Sequence, residues 1–292
     1  MVGLDPRWDS LPAGLRGDSP HDPQCVADSF ERFCCEVVDV VAPLVPIVKP
    51  QAAFFEQWGP AGMAALHRVI QYARRRELLV VVDGKRNDIG STAQAYAEAY
   101  LGANSPWGAD ALTVSPYLGD DSLEPFVQVC QKTDSGIFVL VKTSNSGGKL
   151  LQDLRIDGQP LYCRVAQLVQ QISLRTLGTH GYGLAGAVVG ATYPAQVGEL
   201  RALMPNTWFL VPGYGTQGGT ARDVADAFDQ HGLGAVINNS RGIIFAHSSP
   251  RFAEQFGEAR WQDAVAAATH EMIEQLQAET RVGRIGRPAT AP

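Results

Sequence analysis

The sequence predicts an α/β protein of the (β/α)8 barrel class, and three observations lead to that prediction. Short apolar runs rich in β-branched residues recur along the chain, as in parallel strands buried on both faces. Longer amphipathic stretches of helical period separate these runs. The runs number eight, and eight βα units favour a closed barrel over an open sheet. They are Val2–Asp5, Leu44–Lys49, Leu78–Asp83, Ala109–Ser115, Gly136–Thr143, Ala185–Gly190, Trp208–Pro212 and Leu233–Asn239.

The length of 292 residues suits one barrel domain, since such barrels use about 250 residues. We therefore expect a single domain over residues 1–277, with an excursion within 144–183. That connection is long for one helix and two loops, so extra structure is expected around Lys149–Gln159, before a helix near Leu161–Leu174.

The sequence also predicts features at both ends of the chain. Residues 278–292 are rich in Gly, Arg, Pro and Ala and lack an apolar period, which predicts a disordered tail. The chain opens within its first predicted strand, so we expect either a start upstream of Met1 or a thinly covered barrel bottom.

Charge and hydropathy indicate which classes of partner the protein is not expected to bind. The 24 basic residues against 30 acidic ones give a net charge of -6, so no basic field for nucleic acid is expected. No apolar run approaches the ~20 residues that span a bilayer, which excludes a membrane-spanning helix. Five cysteines without metal-binding spacing, and an N-terminus without a signal segment, predict a cytoplasmic protein with core thiols.

Polar residues recur where the predicted strands end. Barrel active sites lie at the carboxyl ends of the strands, so these residues are site candidates. Each alone also fits a turn or a surface charge, whereas their recurrence on one rim favours a site. They are Asp5, Lys49, Asp83, Lys85, Ser144 and Arg241.

The densest cluster runs from Asp83 to Thr92. Strand residues two apart share a face, so Asp83 and Lys85 are expected to point the same way. Asp88 lies on the loop before a helix predicted to start near Ser91. A surface ion pair with a helix-capping acid is the alternative, but an Asp and a Lys ending an apolar strand favour chemistry.

Two loops near the end of the chain predict a phosphate site. One runs from Pro212 and Gly213 to Gly219 and is glycine-rich enough to wrap an anion with backbone N–H groups. The other contains Ser240 and Arg241, whose guanidinium suits bidentate phosphate contacts. They follow strands seven and eight, where barrels commonly bind phosphate.

The Asp-x-Lys-x-x-Asp-Ile pattern at 83–89, with a lysine ending strand two, resembles the orotidine 5′-phosphate decarboxylase family. The match is closest to its longer bacterial (type 2) branch and covers almost the whole chain in order. It includes Val-Gly-Leu-Asp-Pro at 2–6, Val-Lys-Pro-Gln at 48–51, Lys-Arg-Asn-Asp-Ile-Gly-Ser-Thr at 85–92, Lys-Thr-Ser-Asn at 142–145 and Ser-Arg-Gly-Ile at 240–243. The resemblance implies cofactor-free, metal-independent decarboxylation of orotidine 5′-phosphate to UMP in de novo pyrimidine biosynthesis.

The resemblance also implies residue roles. Lys85 would stabilise and protonate the C6 carbanion within a charge array of Lys49, Asp83, Lys85 and Asp88. Asp88 and Thr92 would reach the neighbouring site of an obligate homodimer. The implied substrate contacts are Asp5 to the ribose, Ser144 to the pyrimidine edge, and Gln217 and Arg241, joined by Tyr214, to the phosphate.

Three other functions stay open as alternatives. A metal-dependent sugar-phosphate decarboxylase or aldolase shares the signature, but it needs an acidic ligand where this chain has Lys49, which repels a cation. A Schiff-base aldolase would use Lys85 or Lys142, yet neighbouring carboxylates oppose the neutral amine that it needs. A catalytically dead barrel would bind UMP without turnover, although every charged position of the array is present.

Overall fold

The computed structural model describes residues 1–215 and 218–285. Its strands are β1 (Val2–Leu4), β2 (Ile47–Pro50), β3 (Leu79–Arg86), β4 (Ala111–Val114), β5 (Gly136–Lys142), β6 (Arg155–Ile156), β7 (Gln159–Pro160), β8 (Ala185–Val189), β9 (Phe209–Val211) and β10 (Ala235–Ile237). Its α-helices are α1 (Pro23–Val41), α2 (Ala53–Glu56), α3 (Gly59–Arg75), α4 (Gly90–Leu101), α5 (Glu124–Thr133), α6 (Lys149–Gln152), α7 (Leu161–Arg175), α8 (Pro194–Leu203), α9 (Arg241–Ile244), α10 (Pro250–Phe256) and α11 (Trp261–Glu279). Short 3-10 helices lie at Trp8–Ser10, Ala13–Leu15, Ser146–Gly148, Ala225–Ala227, Ala246–Ser248, Glu258–Arg260 and Arg281–Arg284.

Each predicted strand overlaps one observed strand, β1 to β5 or β8 to β10, which confirms all eight. Strand β3 continues to Arg86, beyond its predicted end at Asp83. The register shifts between Val82 and Arg86, after which Arg86 pairs with Val114 of β4. Pairing with β4 therefore resumes after a bulge that the apolar pattern does not reveal.

Contacts divide the chain into two compact units. The first comprises residues 1–138 and 238–270, with strand order β1, β2, β3, β4 and parallel pairing throughout. Asn239 lies beside β1, because Gly3 N–H donates to its carbonyl at 2.9 Å. Since parallel strands end at one edge, this unit brings the ends of β1, β2 and β3 together.

The core of the first unit contains a group of aromatic side chains. Phe33 of α1 stacks on Phe245 at 5.5 Å between ring centroids and lies 5.3 Å from Trp261. The sequence starts α1 here because Pro23 fixes its first turn and the Asp22 carboxylate caps it by accepting the Cys25 N–H. Full burial of such a phenylalanine contributes about 1.5–3 kcal/mol, and this packing fixes α1.

The second unit comprises residues 139–237 and the described residues from 271 onward. Its strands follow the order β5, β8, β9, β10, and β9 pairs in parallel with both neighbours for which the register is defined. Within the segment where the sequence predicts an excursion, α6 leads into the antiparallel hairpin β6–β7, and α7 follows. None of the described helices combines the length and apolar character needed to cross a membrane.

The predicted disordered tail is wrong for residues 278–285. Helix α11 continues to Glu279, and the Thr280 hydroxyl then accepts the Val282 N–H to start a 3-10 helix. The Arg281 guanidinium donates to the Phe228 carbonyl at 3.4 Å, so long-range bonds order a stretch without an apolar period. Residues 286–292 lie outside the described residues, and a single domain over 1–277 stays a prediction.

Candidate active site

Asp83 lies within β3, and its carboxylate accepts hydrogen bonds on both oxygens. Oδ2 accepts from Lys49 Nζ at 2.7 Å and from Gln51 Nε2 at 3.0 Å. Oδ1 accepts from Lys85 Nζ at 2.7 Å and from Thr113 Oγ1 at 2.8 Å. These five residues form the Asp83 cluster, in which the carboxylate's four acceptor positions are filled.

Electrostatics keep the buried members of the Asp83 cluster charged. Burial alone raises the pKa of Asp83, but the ammonium groups of Lys49 and Lys85 hold that pKa well below its usual range. Burial likewise opposes a charged Lys49, yet the carboxylates of Asp83 and Asp5 raise its pKa above the usual value. At neutral pH the two therefore form an ion pair, with Asp83 8% and Lys49 4% exposed.

Lys85 differs from Lys49 in exposure and in backbone conformation. Its side chain is 48% exposed, although its Nζ is bonded to Asp83. Its φ is +45°, in the left-handed region that residues other than glycine seldom adopt. Such a conformation costs on the order of 1–3 kcal/mol and is often found at functional sites.

A pocket of about 450 Å³ in the first unit adjoins the Asp83 cluster. It joins three of the predicted site residues: Asp5, Asp83 and Lys85. Among the described residues, Asp5 Oδ1 is buried without a hydrogen-bond partner, so it is free to accept from a ligand hydroxyl. The lining residues are Asp5, Arg7, Gln51, Ala52, Ala53, Phe54, Glu56, Asp83, Gly84 and Lys85.

Asp88 and Thr92 do not join the Asp83 cluster. Asp88 Oδ1 accepts the N–H of Ile89 at 2.8 Å, just before α4. Asp88 makes no ion pair within residues 1–215 and 218–285, and Thr92 is exposed in the first turn of α4. Of the four predicted charges, the structure brings Lys49, Asp83 and Lys85 together and leaves Asp88 apart.

The two residues predicted for phosphate binding in the first unit have different surroundings. Arg241 begins α9 and is exposed. The Ser240 hydroxyl donates to the Gly3 carbonyl at 3.1 Å, which ties this loop to β1. Arg241 is thus exposed at the start of α9, next to the residue whose hydroxyl is bonded to β1.

The glycine-rich loop of the second unit folds back on itself. The N–H groups of Gly215 and Gly218 donate within the loop, to the carbonyls of Gly219 and Gly215, each at 2.8 Å. Gly213 has a φ of +98°, which favours glycine there, and its carbonyl accepts the Gly219 N–H at 3.1 Å. The Pro212 carbonyl accepts the Ala191 N–H at 2.9 Å. Several of the N–H groups expected to wrap an anion are therefore bonded within the loop.

Two further predicted phosphate contacts lie in or near this loop. Tyr214 is buried, and its hydroxyl donates to Gln275 Oε1 at 2.6 Å, so the structure engages it with α11 instead of presenting it to a ligand. This bond joins residues 61 positions apart, so it cannot be inferred from the loop sequence. Gln217 lies outside the described residues.

Ser144 follows β5 and is held by its backbone. Its carbonyl accepts from Thr192 Oγ1 at 3.2 Å. Gly190 packs so closely that a Cβ there would lie 2.8 Å from the Ser144 backbone nitrogen. Lys142, two residues earlier, is 1% exposed, pairs with Asp153 and lies 4.8 Å from the Tyr193 ring centroid. Ser144 thus lies in a closely packed segment.

Gln51, Thr113 and Arg86 lie at or beside the Asp83 cluster, although the sequence did not predict them as site residues. Gln51 is two residues after Lys49, a spacing that places both on one strand face, and this signal was available. Thr113 carries no comparable signal, because its hydroxyl reaches Asp83 across 30 residues of sequence. The Arg86 guanidinium pairs with Glu56 and donates to the Gly84 carbonyl at 3.1 Å, beside Lys85.

Comparisons with known proteins give consistent matches. Residues 1–256 match the model of the orotidine 5′-phosphate decarboxylase / HUMPS family. The chain is 59% identical over 281 residues to the orotidine 5′-phosphate decarboxylase of Rhodopirellula baltica, covering 94% of this chain and 93% of that protein.

Solved structures agree with this match. The Leishmania donovani OMP decarboxylase is 34% identical with a TM-score of 0.73, covering 95% of this chain and 92% of that one. A crystallised candidate orotidine 5′-phosphate decarboxylase from Streptomyces avermitilis is 36% identical with a TM-score of 0.76, covering 97% and 90%. The likeness confirms the predicted (β/α)8 barrel class.

Proposed function

The chain belongs to the orotidine 5′-phosphate decarboxylase / HUMPS family, and on that premise we propose that it decarboxylates orotidine 5′-phosphate to UMP in de novo pyrimidine biosynthesis, without a cofactor. One observation carries the proposal. The Asp83 carboxylate, at the wall of a pocket, bonds the ammonium groups of Lys49 and Lys85 on its two oxygens, each at 2.7 Å. The proposal is also supported by the relative from Rhodopirellula baltica, an orotidine 5′-phosphate decarboxylase that aligns over 94% of this chain.

In the proposed reaction, Lys85 supplies positive charge and then a proton. The bond between C6 of the pyrimidine and its carboxylate carbon breaks, CO₂ leaves, and the electron pair stays on C6. No electron sink adjoins C6, so the protein has to stabilise that charge directly. The Lys85 ammonium is a compact charge that can give a proton to C6, whereas a guanidinium would hardly release one.

Asp83 would hold the Lys85 ammonium in position. Asp83 and Asp88 of a neighbouring subunit would both lie near the substrate carboxylate. One like-charge contact at ~4 Å and an effective dielectric near 20 amounts to about 4 kcal/mol. Enzymes generally supply about 8–23 kcal/mol, so repulsion alone is insufficient. The larger share would come from the preorganised Lys85 charge and from phosphate binding energy.

The proposed substrate contacts rest on separate observations. Asp5, with its unpartnered buried oxygen in the pocket, suits a ribose hydroxyl. Ser144, whose carbonyl is bonded by Thr192 after β5, would bond the pyrimidine edge. Arg241 would grip the phosphate together with Pro212, Gly213, Gln217 and Ser240.

The rival reactions fit the Asp83 cluster less well. A divalent cation would have to displace Lys49 and Lys85 from the carboxylate that it needs as a ligand, so we disfavour metal-dependent sugar-phosphate chemistry. Lys142 is 1% exposed and paired with Asp153, so a sugar carbonyl cannot reach it for a Schiff base. A regulatory barrel that only binds a nucleotide would have no catalytic reason to keep the Lys85 backbone in the costly left-handed conformation.

We extend the proposal to finer assignments. The length of 292 residues and the excursion between β5 and α7 support the longer bacterial (type 2) branch. A homodimer in which Asp88 and Thr92 complete the neighbouring site is supported by their separation from the Asp83 cluster. A cytoplasmic location is supported by five free cysteines.

The test is turnover in a chelator-containing buffer. Purified protein is mixed with orotidine 5′-phosphate, and the loss of pyrimidine absorbance is followed for wild type, Lys85→Ala and Lys132→Ala. Lys132 is an exposed lysine on α5 and serves as the matched control. We expect wild type and Lys132→Ala to turn over alike and Lys85→Ala to lose at least about 1,000-fold in kcat. A folded wild-type protein that produces no UMP would contradict the proposed decarboxylase activity.

A further inference from the structure

Lys85 has a backbone conformation that its position in the chain does not explain. The other non-glycine residues with positive φ among those described are Glu77, Asp134 and Asp157. Glu77 follows α3, Asp134 caps the C-terminus of α5, and Asp157 lies in the β6–β7 turn, all places where left-handed residues are common. Lys85 instead lies inside β3, so something must hold it there.

Thr113 of β4 makes the contact that holds this backbone. The register of β3 and β4 breaks between Val82 and Arg86, which removes Lys85 from the regular ladder. The Lys85 N–H donates to Thr113 Oγ1 at 2.9 Å. A threonine hydroxyl therefore takes the place of the backbone carbonyl that a regular strand would offer.

The direction of the bonds at Thr113 follows from donor and acceptor chemistry. Oγ1 accepts from the Lys85 N–H and carries one proton of its own to donate. Its second neighbour is Asp83 Oδ1 at 2.8 Å, which is ionised and can only accept. The hydroxyl therefore donates to Asp83, and this charge-assisted bond orients it.

These contacts close a ring of hydrogen bonds around Lys85. Thr113 links the Lys85 backbone to Asp83 Oδ1, and the Lys85 ammonium bonds that same oxygen at 2.7 Å. The ammonium of Lys85 is thus bonded to Asp83 Oδ1 directly, and its backbone N–H is linked to the same oxygen through the Thr113 hydroxyl. Thr113 is 1% exposed, so water cannot take the place of the hydroxyl if it is lost.

We propose that Thr113 is a positioning residue for Lys85: its hydroxyl fixes the lysine backbone against Asp83 and so holds the Nζ where the proton is delivered. This inference rests on the proposed function, because it assigns Lys85 the proton transfer. A misplacement of about 1 Å can cost roughly 100-fold in rate. Thr113 is not among the residues that line the pocket, and its hydroxyl acts through its bonds to Lys85 and Asp83.

The experiment compares Thr113→Val, Thr113→Ser and Thr269→Val with wild type. Valine keeps the shape of threonine and removes the hydroxyl, and serine restores it. Thr269 is equally buried and bonds the Val265 carbonyl in α11, so Thr269→Val controls for the loss of any buried hydroxyl. Each variant is assayed for kcat and KM on orotidine 5′-phosphate, and the structure of Thr113→Val is solved.

We expect Thr113→Val to lose about 10- to 100-fold in kcat with little change in KM, and Thr113→Ser to recover most of that loss. Thr269→Val should match wild type. In the Thr113→Val structure, φ of Lys85 should leave the left-handed region. A near-normal kcat in Thr113→Val, or an equal loss in Thr113→Ser, overturns the inference.

The two proposals fail separately. A wild type that does not turn over orotidine 5′-phosphate removes the proposed function. The structure of Thr113→Val then tests by itself whether Thr113 positions Lys85. An unchanged Lys85 backbone in that structure overturns the inference. If Thr113→Val does not fold, Thr113→Ser still tests the inference, because a large kcat loss with the hydroxyl present contradicts it.

Discussion

Lys49 and Asp83 show how single residues keep charge in a nearly dry place. Each is less than a tenth exposed, and each alone would be costly to bury in its ionised form. Their direct bond, completed by Gln51, Lys85 and Thr113, replaces the lost water. Removing one partner would therefore leave an uncompensated buried charge.

At this scale we predict how Asp83→Asn changes stability with pH. The pKa of Asp83 is lowered in the folded protein, so its stabilisation is fully present above the unfolded value near 3.9. That stabilisation is lost as pH falls below the unfolded value towards the folded one, because the unfolded chain then binds a proton that the folded chain does not. Asp83→Asn lacks this proton linkage.

Urea unfolding at pH 7, 4 and 3 measures the effect. At pH 7 we expect Asp83→Asn to be about 3–5 kcal/mol less stable than wild type. The difference in the free energy of unfolding between wild type and Asp83→Asn should become smaller below pH 4, by up to about 1.4 kcal/mol per pH unit. Asp18→Asn, at an exposed loop position, should stay close to wild type throughout. A gap that is constant from pH 7 to 3 would contradict the ion pair.

At the scale of elements, the excursion between β5 and α7 is fixed to β5 at two adjacent points. Lys142 pairs with Asp153 just after α6, and Gln152 of α6 bonds Thr143 through both its amide atoms, at 3.1 and 2.7 Å. Ser144 is the next residue. The excursion therefore braces the segment that carries Ser144.

We predict that Asp153→Asn weakens both the fold and substrate binding. It leaves Lys142, 1% exposed, without its anion, but Asp153 is 34% exposed, so we expect a loss of roughly 2 kcal/mol and not the full cost of a buried pair. The KM should rise more than kcat falls, since Ser144 is proposed to contact the ground-state pyrimidine.

A matched control lies in the same excursion. Asp157 pairs with Arg164 at an exposed site, with 82% of the Asp157 side chain accessible. Asp157→Asn should change the free energy of unfolding by less than about 0.5 kcal/mol and leave KM unaltered. Equal effects of the two substitutions would show that Lys142 does not depend on Asp153.

For the whole molecule, the proposed dimer predicts complementation between inactive variants. Lys85→Ala and Asp88→Ala would each be inactive alone. In a mixed dimer, one site combines both substitutions and the other has Lys85 from one chain and Asp88 from its partner. We expect an equal mixture, after subunit exchange, to recover about a quarter of wild-type activity.

Steady-state turnover of each variant and of the mixture measures this outcome, with Lys85→Ala mixed with itself as the control. No recovery from subunits shown to exchange would place Asp88 in its own chain's site. That result would leave the decarboxylase proposal intact and would remove the shared site.

The sequence predicted the eight strands well because a strand buried on both faces must be apolar along its whole length. It also predicted that Asp83 and Lys85 act together, since residues two apart in a strand share a face. Helix α7 was predicted almost to its ends by its amphipathic period. These features depend on neighbours in sequence, so local chemistry determines them.

Contacts between distant residues decided the rest. The Thr113 hydroxyl, the left-handed Lys85 and the Tyr214–Gln275 bond each join positions that no local period connects. Residues 278–285 are ordered for the same reason, through bonds such as that from Arg281 to Phe228. The sequence by itself determined which charged groups stand at the strand ends, and only the tertiary structure decided how their atoms are held, because a buried polar group takes its geometry from whichever partner replaces water.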